Sequence, residues 1–267
     1  MHTRVIDFAR YSSLRVGAPL EVQIIESTHE CQTLPPNAHI IGKANNLLIS
    51  PNASHLYMLD KSFAFIEIQP HCVHIGGAMN SGQICSFFKK HDLGGMEFLQ
   101  GLPGSLGGII KMNAGLKDKR GGMHEIGERL LEVNINGAWV RSENLGFGYR
   151  TSAIDGVICG AKIHRIEGFR HELTQDFLSL RAHHPKAPSC GSCFKNPPGE
   201  YAGRLLESVG LRGFRIGGMG FAKEHANFLV NLGGGTFTEA MELIELAKKR
   251  VFESSGIMLE CEVQIVG

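Results

Sequence analysis

Two glycine-dense stretches carry residue types suited to holding a phosphate: Gly42-Lys43-Ala44-Asn45-Asn46-Leu47-Leu48 and Gly101-Leu102-Pro103-Gly104-Ser105-Leu106-Gly107-Gly108. Small residues let consecutive backbone N–H groups converge on one anion, forming a concavity that binds diphosphates. Each stretch also reads as a tight turn between strands. The common nucleotide signatures are missing, with no Gly-x-Gly-x-x-Gly after a strand and no Gly-x-x-x-x-Gly-Lys-[Ser/Thr], which argues against Rossmann and P-loop enzymes. Cys190-Gly191-Ser192-Cys193 has Cys-x-x-Cys spacing. A redox dithiol of that type opens a helix in a βαβ unit and a zinc site needs a second ligand pair. Neither context is evident, so the pair reads as incidental. His183-His184 has no accompanying ligands at metal spacing, and no metal is expected.

The elements that must position these loops are legible in part. Residues 20–25, 39–41, 63–69 and 72–75 alternate short apolar runs with turn residues and read as strands. Ile84, Phe87 and Phe88 predict a short helix over 81–91, closed by Gly94 and Gly95. Residues 101–115 are too glycine-rich for regular structure. Asn136-Gly137 between two apolar strands is the strongest hairpin signal, because the pair supplies the positive φ values of a type I′ turn. A strand over 157–166, a helix over 202–209 and a strand over 227–231 follow. The clearest helix begins at Thr236 with Glu239 as a capping-box pair, carries Met241, Ile244, Ala247 and Val251 on one face, places Lys248–Arg250 in its last turn and stops at Gly256. Residues 258–266 read as a terminal strand. Meandering strands with a few helices, lacking βαβ alternation, indicate an α+β fold.

Composition restricts the partners. Against 27 basic residues stand 26 acidic ones, for a net charge of +1 and no run of like charge, so nucleic acid is not expected. The opening residues lack the apolar core of a signal peptide, and no stretch approaches the roughly 18 apolar residues of a membrane span. The expectation is a cytoplasmic protein without a membrane partner. Seven scattered cysteines fit reduced thiols rather than a disulfide framework. The 34 glycines imply many places where backbone turns sharply or lies against a ligand.

Taken in order, the two glycine stretches occur with Met112-Asn113-Ala114-Gly115, Gly148-Tyr149-Arg150-Thr151-Ser152, Gly191-Ser192-Cys193-Phe194-Lys195-Asn196-Pro197 and His225-Ala226-Asn227-Phe228-Leu229-Val230-Asn231. With Ser12-Ser13-Leu14-Arg15-Val16-Gly17 at the start and Leu259-Glu260-Cys261-Glu262-Val263 near the end, this set resembles the MurB family, the UDP-N-acetylenolpyruvoylglucosamine reductases, almost throughout the chain. The resemblance implies a flavin fold of the vanillyl-alcohol oxidase type with a C-terminal substrate-binding domain. Its expected parts are 1–53 with 258–267, then 54–168, then 169–257, in a monomer. It also implies noncovalent FAD. NADPH reduces the flavin and leaves, UDP-N-acetylglucosamine enolpyruvate enters, hydride passes to C3 of the enolpyruvyl group and a proton is added at C2.

Residue by residue, the resemblance gives FAD to Gly42, Lys43, Ala44, Asn45, Asn46, Leu47 and Gly77, to Gly101, Pro103, Gly104, Ser105, Gly107 and Gly108, and to Asn113, Ala114 and Gly115. Arg150 matches the arginine that stabilises developing negative charge. Ser192 matches the proton donor, and Glu262 the second acidic group near the same carbon. A serine hydroxyl can act so only beside a very basic carbanion or enolate, which hydride addition creates. The spacing of Glu262 from Glu260 would put both on one face of a strand. Tyr149, Lys195, Asn196 and Asn227 fall at substrate-binding positions, although the latter polar groups also suit capping or core roles. His225 alone reads as structural.

The chain departs from the family pattern in three places. Ala44 and Asn45 replace the glycine and serine usual in the first flavin loop, Ala153-Ile154-Asp155 follows Ser152, and the loop that covers substrate in longer members is absent. A tyrosine clamp on that loop cannot be carried over. Two other readings stay open: another FAD-linked oxidase or dehydrogenase acting on an alcohol, and a catalytically silent flavin or UDP-sugar binder. The Ser192 and His225 motifs count against the first. The set Arg150, Ser192 and Glu262 counts against the second.

Overall fold

The computed structural model describes residues 1–182 and 184–267. They form two compact units: Met1–Arg4, Val22–Lys43 and His55–Ala182 in the first, and Val5–Glu21, Ala44–Ser54 and His183–Gly267 in the second.

The first unit is built on a five-stranded antiparallel sheet in the order Ala138–Arg141, Leu130–Ile135, Ile158–His164, Cys72–Gly76, Ile66–Ile68. Val73, Ile75, Val133, Ala161 and Ile163 point to one core, shared with Ile84 and Phe88 of the helix Ser81–Lys90 and Phe177 of the helix His171–Arg181. Asn80 caps the first helix by accepting from Gly82 N–H at 2.9 Å, satisfying a donor that has no partner inside the helix. A second sheet runs Pro19–Ile25, Leu56–Leu59, His39–Ile40 in parallel, with His2–Asp7 at its outer edge.

In the second unit Ser189–Ser192, Phe228–Asn231, Met219–Phe221 and Arg215–Ile216 make an antiparallel sheet. The helix Phe237–Ser255 shares a core with it: Leu243, Ile244, Ala247 and Val251 are buried along one face, beside Leu205 and Leu206 of the helix Ala202–Ser208. Thr236 Oγ1 accepts from Glu239 N–H at 3.2 Å and the Glu239 carboxylate accepts from Thr236 N–H at 3.0 Å. Gly256, at φ 71°, ends the helix left-handed. Leu47–Ile49 pairs in parallel with Gln264–Val266, so the terminal strand lies beside an N-terminal one.

Several expectations are corrected. Within 101–115, which reads as irregular, Leu106–Lys111 is helical. Leu106, Ile109 and Ile110 give it a buried face, and Ser105 caps it. The helix His171–Arg181 has no sequence counterpart, because its single fully buried residue, Phe177, leaves almost no periodic pattern. The helix at 237 continues past Lys248–Arg250, which sit a turn before its end, since Val251 extends the buried face. Of 258–266 only Gln264–Val266 is strand; Glu262 and Val263 both donate backbone N–H to Cys193 O, at 2.8 and 3.3 Å, which breaks the alternation that would set Glu260 and Glu262 on one face. The stretch 1–53 is shared between the two units, and the terminal residues Met1–Arg4 fall in the first while 264–267 fall in the second.

Candidate active site

In the first unit the second glycine stretch lies along residues 77–81. Gly107 N–H donates to Gly77 O at 2.9 Å, Leu106 N–H to Met79 O at 2.9 Å, and Ser81 N–H to Gly104 O at 3.0 Å. Gly77 N–H donates in turn to Cys159 O at 2.8 Å, and a Cβ at Gly77 would collide with Ile158 O. A Cβ at Gly42 would likewise meet Ser105 Oγ, so the two glycine stretches converge. The N–H groups of Gly77, Gly107 and Gly108 already have protein acceptors, the last being Ser105 Oγ at 3.4 Å. These glycines therefore serve close backbone approach rather than anion donation. Gly101 O accepts from Arg181 Nη1 at 2.7 Å, and Pro103 is exposed.

The turn carrying Arg150 is fixed by Asn113. Asn113 is 3% exposed with φ 41°, a conformation asparagine tolerates better than most residues. Its Nδ2 donates to Glu125 Oε2 at 3.0 Å and to Gly148 O at 3.1 Å, while its Oδ1 accepts from Gly127 N–H at 3.0 Å. Gly148 and Thr151 exchange backbone hydrogen bonds around Tyr149 and Arg150. Arg150 stands at φ 55°, donates from Nη2 to Gly115 O at 3.2 Å, and lies 5.4 Å from the centre of the exposed Tyr149 ring. Ala114, between these anchors, donates N–H to Ile109 O and accepts from Ile126 N–H. A non-glycine residue held left-handed marks a place where surrounding structure overrides local preference.

The second unit gathers the remaining candidates. Ala44 is 2% exposed at φ 49°, and Ala44 O and Asn45 O accept from Ser13, by N–H at 3.2 Å and by Oγ at 3.0 Å respectively. Asn46 Nδ2 donates to Glu262 O at 2.8 Å and Asn46 O accepts from Gln264 N–H at 2.9 Å. Glu262 N–H donates to Cys193 O at 2.8 Å, next to Ser192, which is half-buried at the end of its strand opposite Phe228. Asn46, Glu262 and the Ser192 segment are thus joined by consecutive hydrogen bonds. Leu47 opens the strand that pairs with Gln264–Val266. Lys43 is exposed and belongs with Gly42 to the first unit, as do Tyr149 and Arg150.

The polar residues around Ser192 have internal duties. Asn227, 3% exposed, accepts from Phe194 N–H at 3.0 Å and donates to Phe194 O at 2.8 Å, closing its amide on the strand backbone. Asn196 Oδ1 caps the helix Ala202–Ser208 by accepting from Ala202 N–H at 3.1 Å. Lys195 Nζ meets Glu260 Oε1 at 2.6 Å. His225 Nδ1 accepts from Asn227 N–H at 3.2 Å, and burial pushes its pKa down, favouring neutral imidazole. Burial pushes the Cys190 thiol up to about 12 and the Cys193 thiol well above its ordinary value, so this pair lacks the thiolate a redox motif needs. His183 lies outside the described residues; among the described residues no cluster of His, Cys, Asp and Glu could hold a metal. Glu125 had no signal in the sequence, and the opening motif marked Ser13 without its contact to the loop at Ala44 and Asn45, because these roles depend on partners elsewhere in the chain.

A family model for the C-terminal domain of UDP-N-acetylenolpyruvoylglucosamine reductase matches residues 183–266. The protein named UDP-N-acetylenolpyruvoylglucosamine reductase in Helicobacter hepaticus is 56% identical over the whole of both chains. The chain belongs to the UDP-N-acetylenolpyruvoylglucosamine reductase family. A Campylobacter jejuni member is 38% identical, covering 98% of this chain and all of its own. The crystal structure of the MurB reductase from Thermus caldophilus superposes with a TM-score of 0.85 at 30% identity and full coverage of both chains. The family's mixed α and β architecture is therefore that of this chain, and the expected short form agrees with relatives of equal length.

Proposed function

We propose that the chain reduces UDP-N-acetylglucosamine enolpyruvate to UDP-N-acetylmuramate with NADPH, in the cytoplasmic synthesis of peptidoglycan precursors, using noncovalent FAD in a fold of the vanillyl-alcohol oxidase type. The observation that carries this reading is the hydrogen-bonded chain from Asn46 through Glu262 to Cys193, which ties a phosphate-type loop to the segments of the expected acid and proton donor. Gly42 and Gly77 let the glycine stretches close tightly, since a Cβ at either would collide with Ser105 Oγ or Ile158 O, and this packing shapes the loops assigned to the flavin dinucleotide. FAD, when bound, carries hydride from the nicotinamide to the substrate. No helix among the described residues is long and apolar enough to cross a membrane.

The roles follow from the chemistry of each side chain. Hydride addition at C3 of the enolpyruvyl group leaves negative charge at C2 delocalised into the carboxylate. The Arg150 guanidinium, fixed in its turn by Asn113 and Gly115 O, is assigned to stabilise that charge. Ser192 Oγ–H is assigned to protonate C2, and the Glu262 carboxylate to orient that hydroxyl or the bound group beside it. Lys195 suits the diphosphate of the sugar nucleotide once Glu260, which is well exposed, exchanges it. Asn227 is assigned to positioning, because both ends of its amide hold Phe194.

Stopped-flow spectra of the purified protein provide the test. A yellow protein, bleached by NADPH and recoloured by the enolpyruvyl sugar nucleotide, is expected, with colour released by acid. Ser192→Ala should bleach at the parental rate and recolour about 10²-fold more slowly, the loss typical of a positioned general acid. Slow bleaching with normal recolouring would remove Ser192 from the role, and a protein that binds no flavin would remove the function.

A further inference from the structure

Two thiols outside the candidate active site face each other inside the first unit. Cys31 closes the one-turn helix Thr28–Cys31, and Cys159 sits in the strand Ile158–His164, the middle of the five-stranded sheet. Their sulfurs are 3.5 Å apart, and the residues are only 3% and 4% exposed, packed with Ile25, Phe63 and Val157. A disulfide needs the sulfurs at about 2.05 Å, so closure requires an approach of roughly 1.5 Å. The two sides are unequally able to supply it. Cys159 sits at the register break between Ile158 and Gly160, where its carbonyl is fixed by Gly77 N–H at 2.8 Å, whereas the helix Thr28–Cys31 has a single turn with Thr28 and His29 exposed.

We propose that Cys31 and Cys159 are a reversible dithiol–disulfide pair, oxidised by hydrogen peroxide, that staples the helix Thr28–Cys31 to the central strand. Cys159 is the attacking sulfur: a hydrogen bond from the Cys31 thiol and the backbone N–H groups of Gly137 and Asn136 hold its pKa below the ordinary thiol value. Cys31 is held high by its hydrogen bond to Cys159 and by burial. The Cys159 thiolate takes one peroxide oxygen, the O–O bond breaks, and sulfenic acid and water form. The Cys31 sulfur then attacks Cys159 Sγ and displaces the hydroxyl, which leaves as water with the Cys31 proton. Two thiols and one peroxide thus give one disulfide and two waters. Because the approach comes from the helix, Cys159 O keeps its bond from Gly77 N–H and the neighbouring loop keeps its shape.

The pair is tested by treating the native full chain with one equivalent of hydrogen peroxide, blocking free thiols and digesting without reductant. A peptide linking Cys31 to Cys159, lost after dithiothreitol, is the expected result. The oxidised protein should also melt about 5 °C or more higher, since a cross-link between residues this far apart in sequence removes much of the unfolded chain's freedom. Cys31→Ser should lose both the linked peptide and the shift. Recovery of Cys31 and Cys159 as free thiols or as separate sulfinic acids, while the partly exposed Cys261 oxidises, would overturn the pairing. A linked peptide without a rise in melting temperature would overturn the staple.

Discussion

Replacing Asn113 tests whether the Arg150 turn is held from a distance. Asn113→Ala removes three hydrogen bonds together, those to Glu125, Gly148 O and Gly127 N–H. The Glu125 carboxylate is half-exposed and can turn to water. Gly127 N–H and Gly148 O are backbone groups with less freedom, and losing a partner should cost about 1 to 1.5 kcal/mol each. Alanine at φ 41° adds about 1 kcal/mol, because its Cβ crowds the following carbonyl in the left-handed region. The total is about 3 to 4 kcal/mol, measured as the difference in unfolding free energy from urea melts. With the turn loosened, turnover should fall about ten- to a hundredfold, the scale set by misplacing one catalytic group. Asn113→Asp keeps the Gly127 contact but sets a carboxylate against Glu125. Its folded pKa is therefore raised, the protonated form favours folding, and this variant should regain stability as pH falls from 7 to 5. An Asn113→Ala protein melting within about 1 kcal/mol of the parent with unchanged turnover would refute the reasoning.

Ala44 offers a sharper steric comparison: Ala44→Gly should change stability by under about 1 kcal/mol, as relief of the left-handed strain offsets lost burial and added chain entropy, whereas Ala44→Val should cost more than about 2 kcal/mol. Urea melts of both variants decide it, and equal effects would show that the loop conformation is not the constraint. Glu200 accepts from Arg204 Nε at 2.8 Å and from Tyr201 N–H, and its carboxyl is held down to about 2. A depressed carboxylate pKa stabilises above the ordinary carboxylate range and is lost as pH falls towards 2. A side-chain NMR titration should show this, and Arg204→Ala should return the carboxyl to the ordinary range; an unmoved midpoint would exclude the ion pair as the cause.

Where local chemistry alone decides structure, the sequence was readable. Asn136 and Gly137, at φ 51° and 92°, make the expected hairpin turn between Leu130–Ile135 and Ala138–Arg141. Thr236, Glu239 and Gly256 bound their helix as expected. Reading failed where a distant partner decides. Residues 101–115 look unstructured by composition, yet Ile109 and Ile110 are packed into a core assembled from segments up to Phe177. The same limit applies to the candidate site. Motif order picked out Ser192, Glu262 and Arg150, but not that Cys193 O links Glu262 to the serine's strand, nor that Glu125 and Asn113 brace the arginine. Lys195, Asn196 and Asn227 were named by position, and only their contacts reveal the ion pair, the helix cap and the backbone clamp.

The pairing of Leu47–Ile49 with Gln264–Val266 sets an order of events during synthesis. A ribosome adding about 5 to 20 residues per second needs roughly 10 to 40 s to make the two hundred or so residues between these strands. Through that interval Leu48 and Ile49, both fully buried in the finished protein, wait without the partner strand that covers them. Residues 55–182 already contain the entire five-stranded sheet and can collapse meanwhile. The nascent chain therefore carries an apolar, unpaired strand edge beside a folding sheet, the kind of surface on which unwanted strand pairing begins. The rate of translation past residue 182 therefore sets how long the edge at 47–49 stays unpaired before 264–266 emerges.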